Sequence, residues 1–278
     1  MSTLFVDTHV HLRKIFPREH YFDAAAASFR HAAAGLDDWV GVLMLTESAT
    51  ENGFRELADL AGPSGDPKRL ETWGGWAVEL GTDDASLIAH RDGVRIAVVA
   101  GRQIDTSERL EVSALGSDRF IRDGTPVDEV LAQAREHDTF QVLPWAPGKW
   151  SFARGRLLER LIGDWDNLRF GLGDNGGRPW IWPMPGPLRR AAELGIPVLP
   201  GSDPLPFPAE LARTGSFGIR LEAELETAVA TQLKAILRGG TAFEPYGKLN
   251  SAVAFFWKEF SMQLTKRKRK KIAAARAG

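Results

Sequence analysis

The sequence predicts an α/β protein folded as a TIM-like barrel of about seven strands, with an inserted β-hairpin and a C-terminal helix. Three observations carry this expectation. Short apolar runs alternate with stretches of helical pattern along most of the chain. Several of those runs are almost continuously apolar, as strands covered on both faces are. The chain has 278 residues, 44% hydrophobic and 26% charged, enough for one large core; α/β barrels reach about 250 residues as one domain. No linker-like stretch divides residues 1–265, which are expected to form one domain, followed by a tail at 266–278.

The elements follow in order. Residues 4–10 open as a strand, and the Ala-rich 23–36 is a helix. Residues 40–46 (VGVLMLT) are a buried strand, 53–61 a helix and 63–68 a loop. Residues 70–80, 86–91 and 95–104 are strands with glycine-containing turns; the inserted hairpin falls near 70–91. Residues 110–115 are another strand, and 126–137 a helix with Pro at its start. Strands at 140–144, 168–172 and 196–200 alternate with helices at 152–162 and 187–194. Helices at 226–238 and 250–264 close the chain.

Composition removes several chemistries. There is no cysteine, so a Cys nucleophile, a thiolate metal site and an iron–sulfur cluster are excluded. Asp7 and His9 interrupt the N-terminus before a signal-peptide core could form, and no run approaches ~18 apolar residues. A cytoplasmic protein is expected. The net charge is −1, but residues 266–278 carry seven positive charges and no acid, which leaves −8 on the rest. That tail could touch nucleic acid or an anionic membrane, although it lacks interleaved aromatic readers, and a solvated tail is the default expectation. Phe256, Phe260 and Leu264 make an apolar stripe on the last helix, expected to pack on the barrel wall.

The strongest local signal is Phe5-Val6-Asp7-Thr8-His9-Val10-His11. Residues i and i+2 of a strand share a face, so His9 and His11 aim two imidazoles at one point, with Asp7 one step deeper as an orienting group. At the C-terminal end of a barrel strand that point is the active-site mouth. The plain alternative is two polar residues ending a strand by chance. The second signal is Leu199-Pro200-Gly201-Ser202-Asp203, which brings a carboxylate to the same mouth as a metal ligand, a general base or simply the cap of a following helix.

These motifs resemble the polymerase-and-histidinol-phosphatase (PHP) family of metal-dependent phosphoesterases, over roughly residues 4–205. The resemblance implies a (β/α)7 barrel. DTHVH is similar to the family's first motif and LPGSDP to its closing Gly-Ser-Asp-x-His. Between them, ligands that the family's motifs would supply are replaced: Thr46-Glu47 stands for Asp-His, Gln103 for a bridging Glu, Ser113 and Trp145 for His, and Leu205 for the last His. The resemblance therefore implies a reduced site of His9, His11 and Asp203, with Glu47 as fourth ligand or base, holding one divalent ion. Two His plus carboxylates suit Zn²⁺, Mn²⁺ or Fe²⁺. The amidohydrolase superfamily, whose barrels also open with His-x-His, is the neighbouring alternative, although no strand ends here match its further His or carboxylated Lys. The other histidines do not rebuild the set: His31, His90 and His137 lie elsewhere, and His20 alone could swing to the mouth.

Two Gly-rich loops complete the expected mouth. PWAPGKW brings Trp145 and Lys149, and GDNGGRP brings Asp174, Asn175 and Arg178. Lys149 and Arg178, and less strongly Arg102, are candidates to hold a substrate phosphate or carboxylate; Trp145, Asp174 and Asn175 are candidates for the surrounding shell. Five of the nine tryptophans fall in 145–182, and plain packing of Trp against Pro and Gly also explains them. The expected function is a metal-dependent hydrolase of a small anionic substrate, a phosphate ester. The alternatives are a PHP-like binding protein without catalysis and an amidohydrolase-like C–N hydrolase.

Overall fold

The computed structural model describes residues 1–249 other than 147 and 176. The helix expected at 250–264 and the basic tail lie outside the described residues. The chain runs β1 (Ser2–Val10), α1 (Arg18–Ala32), β2 (Trp39–Leu45), α2 (Gly53–Ala58), β3 (Lys68–Leu70), β4 (Trp76–Leu80), β5 (Ser86–Arg91), β6 (Val94–Val99), β7 (Gly101–Asp105), β8 (Glu111–Leu115), α3 (Val127–Glu136) and β9 (Phe140–Trp145). It continues with α4 (Ala153–Gly163), α5 (Trp165–Leu168), β10 (Gly171–Asp174), α6 (Gly186–Glu193), β11 (Val198–Pro200), β12 (Phe217–Ala223), α7 (Val229–Arg238) and β13 (Glu244–Gly247). Among the described residues no helix is long and apolar enough to cross a membrane.

The strands do not close into a barrel, which corrects the expected TIM-like (β/α)7 architecture. They form an eight-stranded mixed sheet in the order β13-β12-β1-β2-β6-β5-β4-β3 and a five-stranded one in the order β11-β10-β9-β8-β7. Three features of the chain enforce this. First, residues 95–104 are two strands, broken at Ala100: β6 pairs β2 and β5, while β7 starts the second sheet. A Cβ on Gly101 would lie 2.2 Å from the Leu45 carbonyl oxygen, so a glycine is needed where the chain crosses over. Second, the insertion is a meander of β3, β4 and β5 antiparallel to one another and to β6, and β8 is antiparallel to both its neighbours. Third, β12 runs antiparallel along β1, Ser2 opposite Ala223 and Val6 opposite Ile219. It occupies the edge of β1 that a closing strand would need. β12 alternates buried and exposed residues from Ile219 onward, a one-face-buried pattern absent from the apolar runs read above.

The two sheets are stitched by local bonds rather than ladders. Glu47 bridges Arg102, and the Thr8 hydroxyl donates to the Pro200 carbonyl (2.7 Å). Each sheet has its own apolar cluster. One centres on β1, β2, β6 and α1, with Phe22, Phe29 and Trp76 fully buried; the other packs α3, α4 and α6 on β8–β10 around Leu131, Leu161 and Phe170. The C-terminal ends of β1, β2, β10 and β11 meet between these clusters, and the candidate site lies there.

Candidate metal centre

β1 delivers His9, and the chain runs on into His11. The two imidazoles meet edge to face, ring centroids 5.3 Å apart, and both residues are 2% exposed. Asp203 arrives from the far sheet. A Cβ on Gly201 would stand 2.4 Å from the His9 Cβ, so only glycine lets the two segments touch. Asp203 then takes φ 40°, left-handed and uncommon without glycine, and its N–H donates to the His9 carbonyl at 2.9 Å. Asp203 Oδ1 ends 3.5 Å from His11 Nε2 and 3.9 Å from His9 Nε2. The donor atoms of the three residues lie within 4.8 Å of one another. Ligands at ~2.1 Å in tetrahedral array stand about 3.4 Å apart, so this group can hold a metal ion.

The electrostatics agree with that fit. Burial pushes the His9 imidazole down to about 3, so it stays neutral with a lone pair to give, and its Nδ1 has no hydrogen-bond partner. Burial also pulls His11 down, but hydrogen bonds to Asp203 and Glu51 outweigh it and raise the ring. For Asp203, burial alone would raise the carboxyl; the His11 hydrogen bond and the nearby His9, His11 and Arg13 charges hold it below the ordinary carboxylate range. A carboxylate held so firmly ionised is suited to bind a cation.

The supporting shell contains residues the sequence reading missed. His11 Nδ1 donates to Glu51 Oε2 (3.3 Å), which also accepts from the Ser48 N–H and hydroxyl; Glu51 Oε1 accepts from Arg13 (3.1 Å). Burial raises Glu51, yet these donors, His11 foremost, bring it to about 2. A carboxylate on the far nitrogen keeps a proton on Nδ1, so that the Nε2 now bonded to Asp203 is the nitrogen that would turn to a metal once it lost its proton. The signal was present as Ser48-x-x-Glu51, a capping-box spacing. Arg13 is pinned by Glu51 and by the Pro204 carbonyl (2.9 Å).

Asp7 does not orient an imidazole. Its carboxylate accepts from the Ser202 N–H (2.9 Å) and hydroxyl (2.5 Å), the Gly215 N–H (3.0 Å) and the His9 N–H (3.3 Å). It thereby ties the Asp203 loop to β1. Burial outweighs these donors and pushes it up to about 7.

The remaining candidates divide. Asn175, 3% exposed, donates to Asp203 Oδ2 (3.4 Å), while its Oδ1 has no partner. Gly173 makes room for it: a Cβ there would stand 2.9 Å from Asn175 Oδ1. Glu47 lies outside the three-residue group. Its Oε1 accepts from the Phe54 N–H at the start of α2 (3.1 Å), its Oε2 is buried without a hydrogen bond, and burial raises its pKa. Arg102 stands 3.7 Å from Glu47 and donates to the carbonyls of Glu51 and Asp118 and to Asn52. Arg178 is paired with Asp174 through two donors to one oxygen (3.1 and 3.0 Å), and Lys149 with Glu111. Trp145 is 8% exposed and belongs to the second apolar cluster. His20 is exposed on α1.

No family model matches the chain, and no curated protein matches it. Among solved structures, PsfC from Pseudomonas syringae PB-5123 superposes with a TM-score of 0.54 at 16% identity, over 95% of this chain and 100% of that one. The likeness is one of fold. The lesion-specific endonuclease PfuEndoQ from Pyrococcus furiosus superposes with a TM-score of 0.47 at 15% identity, over 87% of this chain and 57% of that one.

Proposed function

We propose that the chain is a metal-dependent hydrolase, PHP-like in its motifs, which acts on a small anionic substrate of the phosphate-ester class through one divalent ion. The observation that carries this reading is the group of donors from His9, His11 and Asp203 within 4.8 Å. An ion there supplies Lewis acidity, polarising a phosphoryl oxygen and acidifying water. The chain supplies the rest. His9 offers a neutral nitrogen, Glu51 holds the proton on His11 Nδ1, and Asn175 holds the outer oxygen of Asp203. Asp203 is the one ligand side chain open to the cleft, 28% exposed against 3% for each His, so substrate approaches past it. Arg13 and Lys149, paired with Glu51 and Glu111, are the cations near enough to be felt at His9 and are the candidates to meet an anionic substrate.

A second reading is a binding protein without turnover. It is favoured by Trp145, which fills core volume where the resemblance expects a ligand. Metal-loaded protein assayed on p-nitrophenyl phosphate, bis-p-nitrophenyl phosphate and p-nitroacetanilide separates the readings. Release of p-nitrophenol, abolished in the His9→Ala/His11→Ala double variant, is expected. Turnover of the anilide alone would indicate C–N hydrolysis, and no turnover of any would favour the binding protein.

A further inference from the structure

We propose a second ligand site, for a planar aromatic anion, at the end of the five-stranded sheet opposite the metal centre. A cavity of about 500 Å³ opens there, against Phe140 at the start of β9, Phe170 just before β10 and Pro197 just before β11. These strands run parallel, so their starts lie one strand length from Asn175 and Asp203, on the order of 15–20 Å for strands of this size. The volume is in the range of small-molecule pockets, roughly 300–1,000 Å³, and the cavity does not belong to the metal site.

The lining is aromatic below and cationic around. Phe140 and Phe170 are buried at 2% and 0%. Trp165 is held edge-on, its indole N–H donating to the Phe170 carbonyl (2.6 Å). Three arginines border this floor, Arg135, Arg169 and Arg238. Arg169 lies over the Trp165 ring at 4.6 Å, placed by a left-handed backbone (φ 53°) that a β-carbon ordinarily disfavours. One carboxylate borders the cavity, Asp138, and it is already shared by Lys234 (2.7 Å) and Arg238 (2.8 Å). Arg169 pairs with Asp166 outside the lining (3.5 Å), and among the described residues no carboxylate pairs with Arg135. Three arginines against the carboxylates of Asp138 and Asp166 leave one positive charge in excess beside an apolar floor. That combination selects a flat apolar ring bearing one anionic group: the ring lies against half-buried Trp165, and the group takes the forked donors of Arg135 with Arg169 beside it.

The test uses the full chain and two probes of one ring frame. The first is 1-anilinonaphthalene-8-sulfonate; the second, N-phenyl-1-naphthylamine, lacks the charge. The sulfonate should bind saturably at one equivalent, with energy transfer from tryptophan, and at least tenfold tighter than the neutral probe. The exposed double substitution Arg135→Gln/Arg169→Gln should weaken the sulfonate at least tenfold and leave both the neutral probe and the thermal midpoint unchanged. His9→Ala/His11→Ala should leave sulfonate binding intact. Equal affinity for both probes, binding unaffected by the arginine substitutions, binding lost in the histidine variant, or no saturable binding would each overturn the proposal.

Discussion

The two halves of the cleft invite comparison, because chain ends of the same kind meet there with opposite outcomes. Where β1 and β11 end, polar atoms are held in place and left available. His9 carries no hydrogen bond on Nδ1, His11 is aimed by Glu51, and Asp203 is forced against both by Gly201. Across β7 to β10, much of the corresponding space is packed or paired. Trp145 joins the core, Arg178 takes one oxygen of Asp174 and leaves the other without a partner, and Gln103 and Ser113 sit opposite each other across β7 and β8. The difference teaches that His9, His11 and Asp203 stand together as a group that could hold a metal ion. Trp145 and Arg178 lie instead in the second apolar cluster and in an ion pair.

The comparison can be broken or sharpened by substitutions on each side. Trp145→Ala removes a large core side chain and should cost about 3–5 kcal/mol of stability in denaturant titration, yet leave the ion stoichiometry of the folded protein unchanged. Loss of the ion together with stability would merge the two halves. Glu51→Gln keeps size but lowers the basicity offered to His11; metal affinity, measured by competition with a chelating dye, should fall roughly 10–100-fold. Proton linkage gives the next effect. His11 is raised above the ordinary 6.5 in the ion-free protein, so an incoming ion displaces a proton. Affinity should therefore fall as pH drops, about tenfold per unit below the His11 pKa, and calorimetry in buffers of different ionisation heat should report the released proton. A pH-independent affinity would mean that His11 is not a ligand. The smallest effect belongs to Asn175→Ala, which releases only the outer oxygen of Asp203: a few-fold loss of affinity, since one such hydrogen bond is worth about 1 kcal/mol.

Much of this was legible in the residues, and the failures have physical causes. The alternation at Asp7, His9 and His11 gave the shared imidazole face, because strand periodicity is local. Gly201 and Asp203 were legible as a turn after an apolar run. The expected barrel was wrong, because closure depends on which strand takes the free edge of β1. β12 takes it, and its Arg220 and Glu222 face outward, so it did not read as an apolar run. Glu51 and Arg13 escaped because their roles arise from a loop conformation that brings residues 38 apart into contact. Trp145 and Arg178 were read as substrate-facing from loop chemistry, whereas their partners, the second core cluster and Asp174, are set by tertiary packing.

The most direct test of a one-ion centre on His9, His11 and Asp203 is elemental mass spectrometry of the purified full chain beside the His9→Ala/His11→Ala variant, after both are equilibrated with Zn²⁺, Mn²⁺ and Fe²⁺ and freed of excess. The expected result is close to one equivalent of a divalent transition metal in the first and none in the second. Equal metal in both, or none in either, would contradict it.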